Sequence, residues 1–230
     1  MVRYHTILFD ADNTLLDFFK SEKEALRNAL GFLGVLSNEE MLKKYSEIND
    51  GVWKMLERGE ITKAELRELR FALFSSHFSL GVDVPRLANL YTELLATKSF
   101  LMDGALEVCR RLAEHCRLYV ITNGMASVQH GRFDSSPLHP LFEGAFISDE
   151  IGAEKPSPLF FAHVAAKIPQ FDPRDTLVVG DSLTSDIKGG VDAGIDTCWF
   201  NPGGKPVPDG MPIKHVITRL EELVPLVVCE

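Results

Sequence analysis

Short apolar runs that end in small or acidic residues recur along the chain and alternate with stretches of helical periodicity. The strand-like runs are HTILFD (5–10), RLYVIT (117–122), GAFIS (144–148), TLVVGD (176–181) and DTCWFN (196–201). A short strand near His215 to Ile217 and a last helix over Arg219 to Val228 should complete the chain. The alternation predicts an α/β fold with a parallel sheet covered by helices. Ligands of such sheets bind at the carboxyl ends of the strands, so we expect the chemistry there.

Residues 18–98 interrupt this alternation, because they contain no convincing strand and carry several signals for helix starts. These signals are three capping boxes and one proline: Ser21 with Glu24, Ser37 with Glu40, Thr62 with Glu65, and Pro85. We interpret 18–98 as an inserted, all-helical cap domain. Residues 1–17 and 99–230 are then expected to form the catalytic core.

Composition narrows the function by exclusion. Hydrophobic residues make up 45% of the 230 residues and charged residues 25%, as in ordinary globular proteins. The net charge is −9, and no stretch gathers the basic residues, which argues against nucleic acid polymers and membrane surfaces as partners. No apolar run approaches the length of a membrane span. The first residues resemble neither a secretory signal nor a transit peptide.

The cysteines favour a reducing compartment. Cys109, Cys116, Cys198 and Cys229 are scattered and lack the paired spacing of a zinc site. We therefore expect reduced thiols in a cytoplasmic protein. A monomer or a homodimer is expected, since the sequence does not distinguish them.

Two aspartates follow the first strand, in the segment FDADNTLLD. Asp10 and Asp12 alternate along an extended chain and so point to the same side. Two carboxylates on the same side of one strand end repel each other unless a cation or a shared proton compensates their charge. A turn rich in Asp and Asn is the structural alternative for this segment.

Three further segments place polar groups at predicted strand ends. Thr122 closes an apolar strand, and Asn123 opens a turn whose amides suit an oxyanion. Lys155 lies before Pro156 and ahead of a helix that begins near Pro158. Asp181 and Asp186 follow a buried strand in VVGDSLTSDIKGG, and such oxygen ligands suit Mg²⁺ better than zinc. Turn chemistry, a solvated lysine and helix capping are the alternatives for each segment alone.

Taken together and in this order, the four segments resemble the motifs of the haloacid dehalogenase superfamily, D-x-D-x-T, Ser/Thr, Lys and G-D-x-x-x-(x)-D. The resemblance implies a Rossmann-like parallel sheet with helices on both faces and a magnesium-dependent phosphatase. It makes Asp10 the nucleophile, which becomes an aspartyl phosphate, and Asp12 the general acid and base. Thr122, Asn123 and Lys155 would bind the phosphate. The magnesium ligands would be Asp10, the backbone carbonyl of Asp12, Asp181 and Asp186, the last directly or through water.

Within that superfamily the chain is similar to bacterial house-cleaning pyrimidine 5'-nucleotidases. The similar segments include FDADNTLLDF, INDGVWKMLERGEITKAELRELRF, ITNGMASVQ and AGIDTCWFNP. The implied substrate is a small phosphate monoester, a pyrimidine nucleoside 5'-monophosphate. Phe18, Phe19 and Trp53 are candidates for stacking on the base, with Asn49 one helical turn before Trp53. Packing inside the cap is the alternative for these aromatics, and Arg70 either is solvated or reaches the substrate.

Other functions fit the same sequence less well. A phosphatase of another small metabolite, such as phosphoglycolate or a sugar phosphate, keeps the same core motifs. A metal-independent 2-haloacid dehalogenase would need neither an acid at Asp12 nor the pair Asp181 and Asp186. A receiver domain, the non-enzymatic alternative, is about half this length and has no helical cap.

Overall fold

The computed structural model describes residues 2–228 of the chain. The described residues divide into two compact units, one that contains residues 2–17 and 99–228 and one formed by Phe18–Lys98. No helix within residues 2–228 is both long and apolar enough to cross a bilayer. Cys109, Cys116 and Cys198 are free, buried thiols, as predicted. The fourth predicted thiol, Cys229, lies outside the described residues.

The first unit is built on six parallel strands in the order β3-β2-β1-β4-β5-β6. The strands are β1 (Thr6–Asp10), β2 (Arg117–Thr122), β3 (Gly144–Ile147), β4 (Thr176–Gly180), β5 (Asp196–Phe200) and β6 (His215–Ile217). β1 and β4 are buried along their whole length, because a parallel sheet is covered on both faces. The predicted parallel α/β sheet is confirmed, with strand limits that agree to within one residue.

Helices cover both faces of this sheet, as the strand alternation requires. Ile7 and Phe9 of β1 pack in one apolar cluster, while Leu8 between them packs in another. The first cluster includes residues of α5 (Ala105–Ala113) and α10 (Leu223–Val227), and the second includes residues of α8 (Pro158–Lys167). The remaining helices of this unit are α6 (Ala126–Asp134), α7 (Ser148–Ile151) and α9 (Lys188–Asp192).

The second unit consists of four helices, α1 (Phe18–Phe32), α2 (Glu39–Glu57), α3 (Lys63–Phe78) and α4 (Val84–Ala96). Four aromatic rings form its centre: Tyr45 stacks on Phe71 at 5.1 Å and lies 5.5 Å from both Phe74 and Tyr91. The described residues of this unit form helices and connecting loops, as the capping signals predict.

The helix starts match the sequence signals to different degrees. The Thr62 capping box is present in both directions, and Pro85 lies in the first turn of α4 behind the N-cap Asp83. The start predicted at Ser37 is one residue early, because Asn38 Oδ1 caps α2 by accepting from Met41 N at 2.9 Å. The start predicted at Ser21 is wrong, since α1 begins at Phe18 and Ser21 is buried inside it.

The predicted last helix also differs. Residues Leu220–Glu222 form a 3₁₀ turn, and α10 follows as a separate short helix. Pro225 lies within α10, and the missing amide of a proline limits how far a helix can run.

Candidate active site

Acidic and hydroxyl side chains meet where the central strands end. Asp10 is the last residue of β1 and pairs in register with Ile121, next to Thr122 at the end of β2. Asp181 follows directly after β4, which lies on the other side of β1. The order of these strands therefore brings three sequence-distant segments to one edge of the sheet.

Asp10, Asp181 and Asp186 form the acidic cluster of the site. Each offers one carboxylate oxygen, and these oxygens lie within 4.8 Å of one another. Asp186 lies on the π-helical turn Leu183–Ile187 and is only 1% exposed. Its Oδ2 accepts from the backbone amide of Ser182 at 3.1 Å, which fixes the carboxylate against the strand end.

This arrangement requires a glycine at position 180, because a side chain there would not fit. A Cβ at this position would lie 2.3 Å from Oδ2 of Asp186. The carboxylate can therefore approach β4 closely only because the strand ends in glycine.

The ammonium group of Lys155 lies between two of these carboxylates. Its Nζ donates to Asp10 Oδ1 at 2.7 Å, to Asp186 Oδ1 at 2.7 Å and to the backbone carbonyl of Ile121 at 2.8 Å. Lys155 is 2% exposed, so three acceptors satisfy its three donor positions inside the protein.

Burial and neighbouring charges shift the pKa values of these groups. Burial and the nearby carboxylate of Asp186 raise the pKa of Asp10 well above its ordinary value, although Lys155 opposes the shift. Burial, again with Asp186, raises the pKa of Asp181 to about 7. Burial alone would lower the pKa of Lys155, but the two carboxylates beside it raise it above its ordinary value. The site thus holds more negative charge than one lysine compensates.

These groups fit a hard divalent cation. The three clustered donors are all carboxylate oxygens, and one ammonium stands against three acids. Oxygen donors with uncompensated negative charge are the environment that Mg²⁺ favours, and thiolate or imidazole ligands are absent from this cluster of described residues.

Thr122, the last residue of β2, and Asn123, the first residue after it, have different roles. Thr122 Oγ1 accepts from Gly124 N at 3.0 Å and from Gln129 Nε2 at 2.8 Å, so its own hydrogen is left to donate to another group. The side chain of Asn123 instead pairs with the backbone of Lys155, donating to its carbonyl and accepting from its amide, both at 2.8 Å. Asn123 therefore ties the Thr122 loop to the loop that carries Lys155.

Two residues of α6 contact Asp12, and the sequence did not point to either. Gln129 Nε2 donates to Asp12 Oδ2 at 2.7 Å, and Arg132 Nη1 forms an ion pair with Asp12 Oδ1. Gln129 is 3% exposed and Arg132 is fully buried. Their spacing of three on one helix, beside the apolar Val128 and Phe133, is the sequence signal that could have marked them.

Asn49 lies in a buried polar network of the helical unit. Its Nδ2 donates to Glu22 Oε1 at 2.9 Å, and its Oδ1 accepts from Arg70 Nη1 at 2.8 Å. Glu22 also accepts a hydrogen bond from Ser46. Arg70 is 1% exposed and lies over the rings of Phe71 and Tyr91, so it is neither solvated nor extended from the surface of its unit. The amide of Asn49, on α2, thus links Glu22 of α1 to Arg70 of α3.

The aromatic candidates of the helical unit differ in exposure. Phe19 is 58% exposed, while Phe18 and Trp53 are half-buried. The rings of Phe18 and Phe19 contact edge to face at 6.5 Å. The central ring cluster of this unit contains none of the three.

Comparison with known proteins places this site in a family. The family model of haloacid dehalogenase-like hydrolases matches residues 4–194. The chain is 40% identical over 224 residues to the HAD-hydrolase YfnB of Bacillus subtilis, covering 97% of this chain and 95% of YfnB. It is also 40% identical over 200 residues to the pyrimidine 5'-nucleotidase PynA of Streptococcus pneumoniae, covering 86% and 84% of the two chains. The pyrimidine 5'-nucleotidase YjjG of Escherichia coli is 28% identical over 222 residues, covering 96% of this chain and 97% of YjjG.

Solved structures agree with this placement. The crystal structure of YfnB bound to magnesium superposes with a TM-score of 0.93 at 38% identity, covering 97% of this chain and 98% of that one. A dehalogenase superposes with a TM-score of 0.78 at 19% identity and covers 100% of both chains. At that identity the likeness concerns the fold alone.

Proposed function

The chain belongs to the haloacid dehalogenase-like hydrolases, and from this premise we propose that it is a magnesium-dependent phosphomonoester hydrolase that works through a phosphorylated Asp10. The family-model match and the relatives confirm the predicted enzyme family. One observation carries the proposal. Lys155 Nζ lies 2.7 Å from both Asp10 and Asp186, and Asp181 completes three carboxylates around one point at the strand ends.

Asp10, Asp181, Asp186 and the backbone carbonyl of Asp12 are the proposed ligands of the magnesium ion. When bound, the ion supplies positive charge that lets an anionic carboxylate approach a phosphate dianion. Asp186 accepts hydrogen bonds from Lys155 and from the amide of Ser182, and we propose that it contacts the ion directly or through a bound water.

The remaining chemistry follows from the side chains themselves. A carboxylate oxygen of Asp10 attacks phosphorus, and the bond from phosphorus to the ester oxygen breaks. Asp12 gives its proton to that departing oxygen. A water then loses a proton to Asp12 and attacks the phosphorus of the aspartyl phosphate, and inorganic phosphate leaves as Asp10 regains its carboxylate. Asp12 thus returns to its starting state after each turnover.

During both steps Thr122 donates to the phosphoryl group, and the positive charge of Lys155 compensates part of its negative charge. The ammonium of Lys155 already lies against Asp10, the point at which the phosphoryl group becomes attached. Thr122 has its hydroxyl hydrogen to offer, because its oxygen accepts from two other donors. Asn123 supports this pair through the backbone of Lys155.

A pyrimidine nucleoside 5'-monophosphate is the proposed substrate. Support comes from PynA and YjjG, both named pyrimidine 5'-nucleotidases, which match this chain over most of its length. The groups described at the strand ends serve phosphate, metal and proton transfer, and we assign recognition of the base to other residues. The candidates for stacking on the base lie in the helical unit and are the exposed ring of Phe19 together with Phe18 and Trp53.

The test is a phosphate-release screen with nucleoside monophosphates, sugar phosphates and phosphoglycolate. Deoxyuridine monophosphate should be turned over with magnesium and not after chelation. Asp10→Asn should abolish turnover and leave the circular dichroism spectrum unchanged, because it removes the nucleophilic charge and keeps the side chain's shape. Magnesium-dependent activity retained by this variant would refute the nucleophile. Preference for phosphoglycolate or a sugar phosphate would refute the nucleotide substrate and keep the phosphatase.

A further inference from the structure

Asp12 is held by two buried donors from one helix. Arg132 binds Oδ1 of the carboxylate and Gln129 binds Oδ2, so each oxygen has its own partner. A carboxylate offers about four lone-pair positions, and two donors can therefore fix it while others stay open to a proton. Two bonds to different oxygens restrict both the position and the rotation of the group.

The amide of Gln129 also joins Asp12 to Thr122. Its Nε2 uses one hydrogen for Asp12 at 2.7 Å and the other for Thr122 Oγ1 at 2.8 Å. An ionised carboxylate only accepts, so this orientation of the amide, with its nitrogen toward Asp12, suits the ionised state of that group. The distance between the proton-transfer group and the phosphate-binding hydroxyl is thus set by one side chain.

Gly124 makes room for this side chain. A Cβ at Gly124 would lie 2.2 Å from Nε2 of Gln129, so the amide passes directly against the backbone of the turn. The turn after β2 and the first half of α6 are therefore matched to each other around Gln129.

We propose that Gln129 and Arg132 are positioning residues that hold Asp12 where it protonates the leaving group. This inference rests on the proposed function and assigns two residues to the proton-transfer step. Their role is to keep the Asp12 carboxylate at one place relative to the phosphoryl group that Thr122 binds. A displacement of about 1 Å in such a group costs about 100-fold in rate.

Leaving-group dependence distinguishes this role from a structural one. Phenyl phosphate and p-nitrophenyl phosphate have nearly the same shape, but phenolate is a much stronger base than nitrophenolate and needs a proton as it leaves. The specificity constant kcat/KM reports the steps up to departure of the alcohol. Loss of proton transfer should therefore lower kcat/KM for phenyl phosphate far more than for p-nitrophenyl phosphate.

The experiment compares both esters in wild type, Asp12→Asn, Arg132→Gln, Arg132→Lys and Gln129→Met. Asp12→Asn defines the full effect. Arg132→Gln and Gln129→Met should lose roughly 10- to 100-fold more kcat/KM on phenyl phosphate than on p-nitrophenyl phosphate. Arg132→Lys should lose less kcat/KM on phenyl phosphate than Arg132→Gln does, since lysine restores a donor and a positive charge. His130 is exposed on the same helix and is paired with Glu150. His130→Gln is therefore the matched control, and kcat/KM should stay unchanged for both esters.

Each outcome bears on one claim. Equal losses on both esters in Gln129→Met and Arg132→Lys, with a lowered melting temperature, would show that α6 only stabilises the fold and would overturn the inference. If Arg132→Gln does not fold, the Gln129 and Arg132→Lys variants decide. Absence of magnesium-dependent phosphate release by the wild type would refute the proposed function, and this inference with it.

Discussion

Replacing Glu22 by glutamine should remove a pH dependence from the stability of the protein. Glu22 is 1% exposed on α1 and accepts from Ser46 and from Asn49 Nδ2. Burial raises its pKa from 4.5 to about 7, although Ser46, Arg70 and Asn49 oppose the shift. Glutamine keeps the shape of the side chain and cannot ionise.

The sign and size of the effect follow from the two pKa values. Between pH 4.5 and about 7 the folded state holds a proton on Glu22 that the unfolded chain has lost, so the free energy of unfolding falls as the pH rises. From pH 5 to pH 8 the loss amounts to about 2.5 kcal/mol. The stabilising contribution is present at low pH and is lost as the pH rises through 7.

Urea unfolding followed by circular dichroism at a series of pH values measures this loss. The wild type should lose about 2.5 kcal/mol more than Glu22→Gln between pH 5 and pH 8. Glu68→Gln, an exposed site on α3, should follow the wild type. Parallel curves for wild type and Glu22→Gln would show that Arg70 keeps Glu22 ionised in the folded protein, and the reasoning would be refuted.

Two further predictions concern the metal site and the base. Gly180→Ala should raise the magnesium concentration needed for half-maximal activity, because the added Cβ would displace Asp186. Gly203→Ala is the control and should leave that concentration unchanged, since there is open space around Gly203. An equal magnesium requirement in both variants would contradict the packing argument. Phe19→Ala should lower kcat/KM for deoxyuridine monophosphate by about tenfold and hardly affect p-nitrophenyl phosphate, since base stacking contributes about 1–3 kcal/mol. Leu36 is 95% exposed in the same unit, and Leu36→Ala should leave kcat/KM unchanged for both substrates. Equal losses of kcat/KM on both substrates in Phe19→Ala would contradict base stacking.

Strands β1 to β5 were predictable from sequence because in each a short apolar run ends in, or is followed by, a polar residue. Thr122 and the pair Asp10 and Asp181 mark such ends, and parallel pairing alone brings strand ends to one edge. The meeting of these side chains therefore followed from local patterns and one topological rule. Lys155 needed the family's motif order in addition, because a lysine in a loop has no signal of its own.

Contacts between helices and strand ends could not be predicted in this way. Arg132 and Gln129 reach Asp12 across more than a hundred residues of sequence, and periodicity says only that they share a helix face. Arg70 shows the same limit, because its buried partner Asn49 lies on a different helix. In none of these contacts does the partner lie one turn away on the same helix, which is the only distance that helical periodicity predicts.

The polypeptide leaves and re-enters the first unit at a single place. Leu16 and Leu101 form an antiparallel bridge, Asp17 N donates to Phe100 O at 2.9 Å, and Met102 N donates to Leu15 O at 2.9 Å. These bonds hold the two ends of the excursion Phe18–Lys98 side by side, so its loop is closed within the first unit.

Closure entropy grows only with the logarithm of loop length, and an excursion eight times shorter would lower the cost by only about 2 kcal/mol. The length of the excursion is therefore only weakly tied to the stability of the sheet. A segment of another length can therefore take its place while the arrangement of side chains at the strand ends stays unchanged.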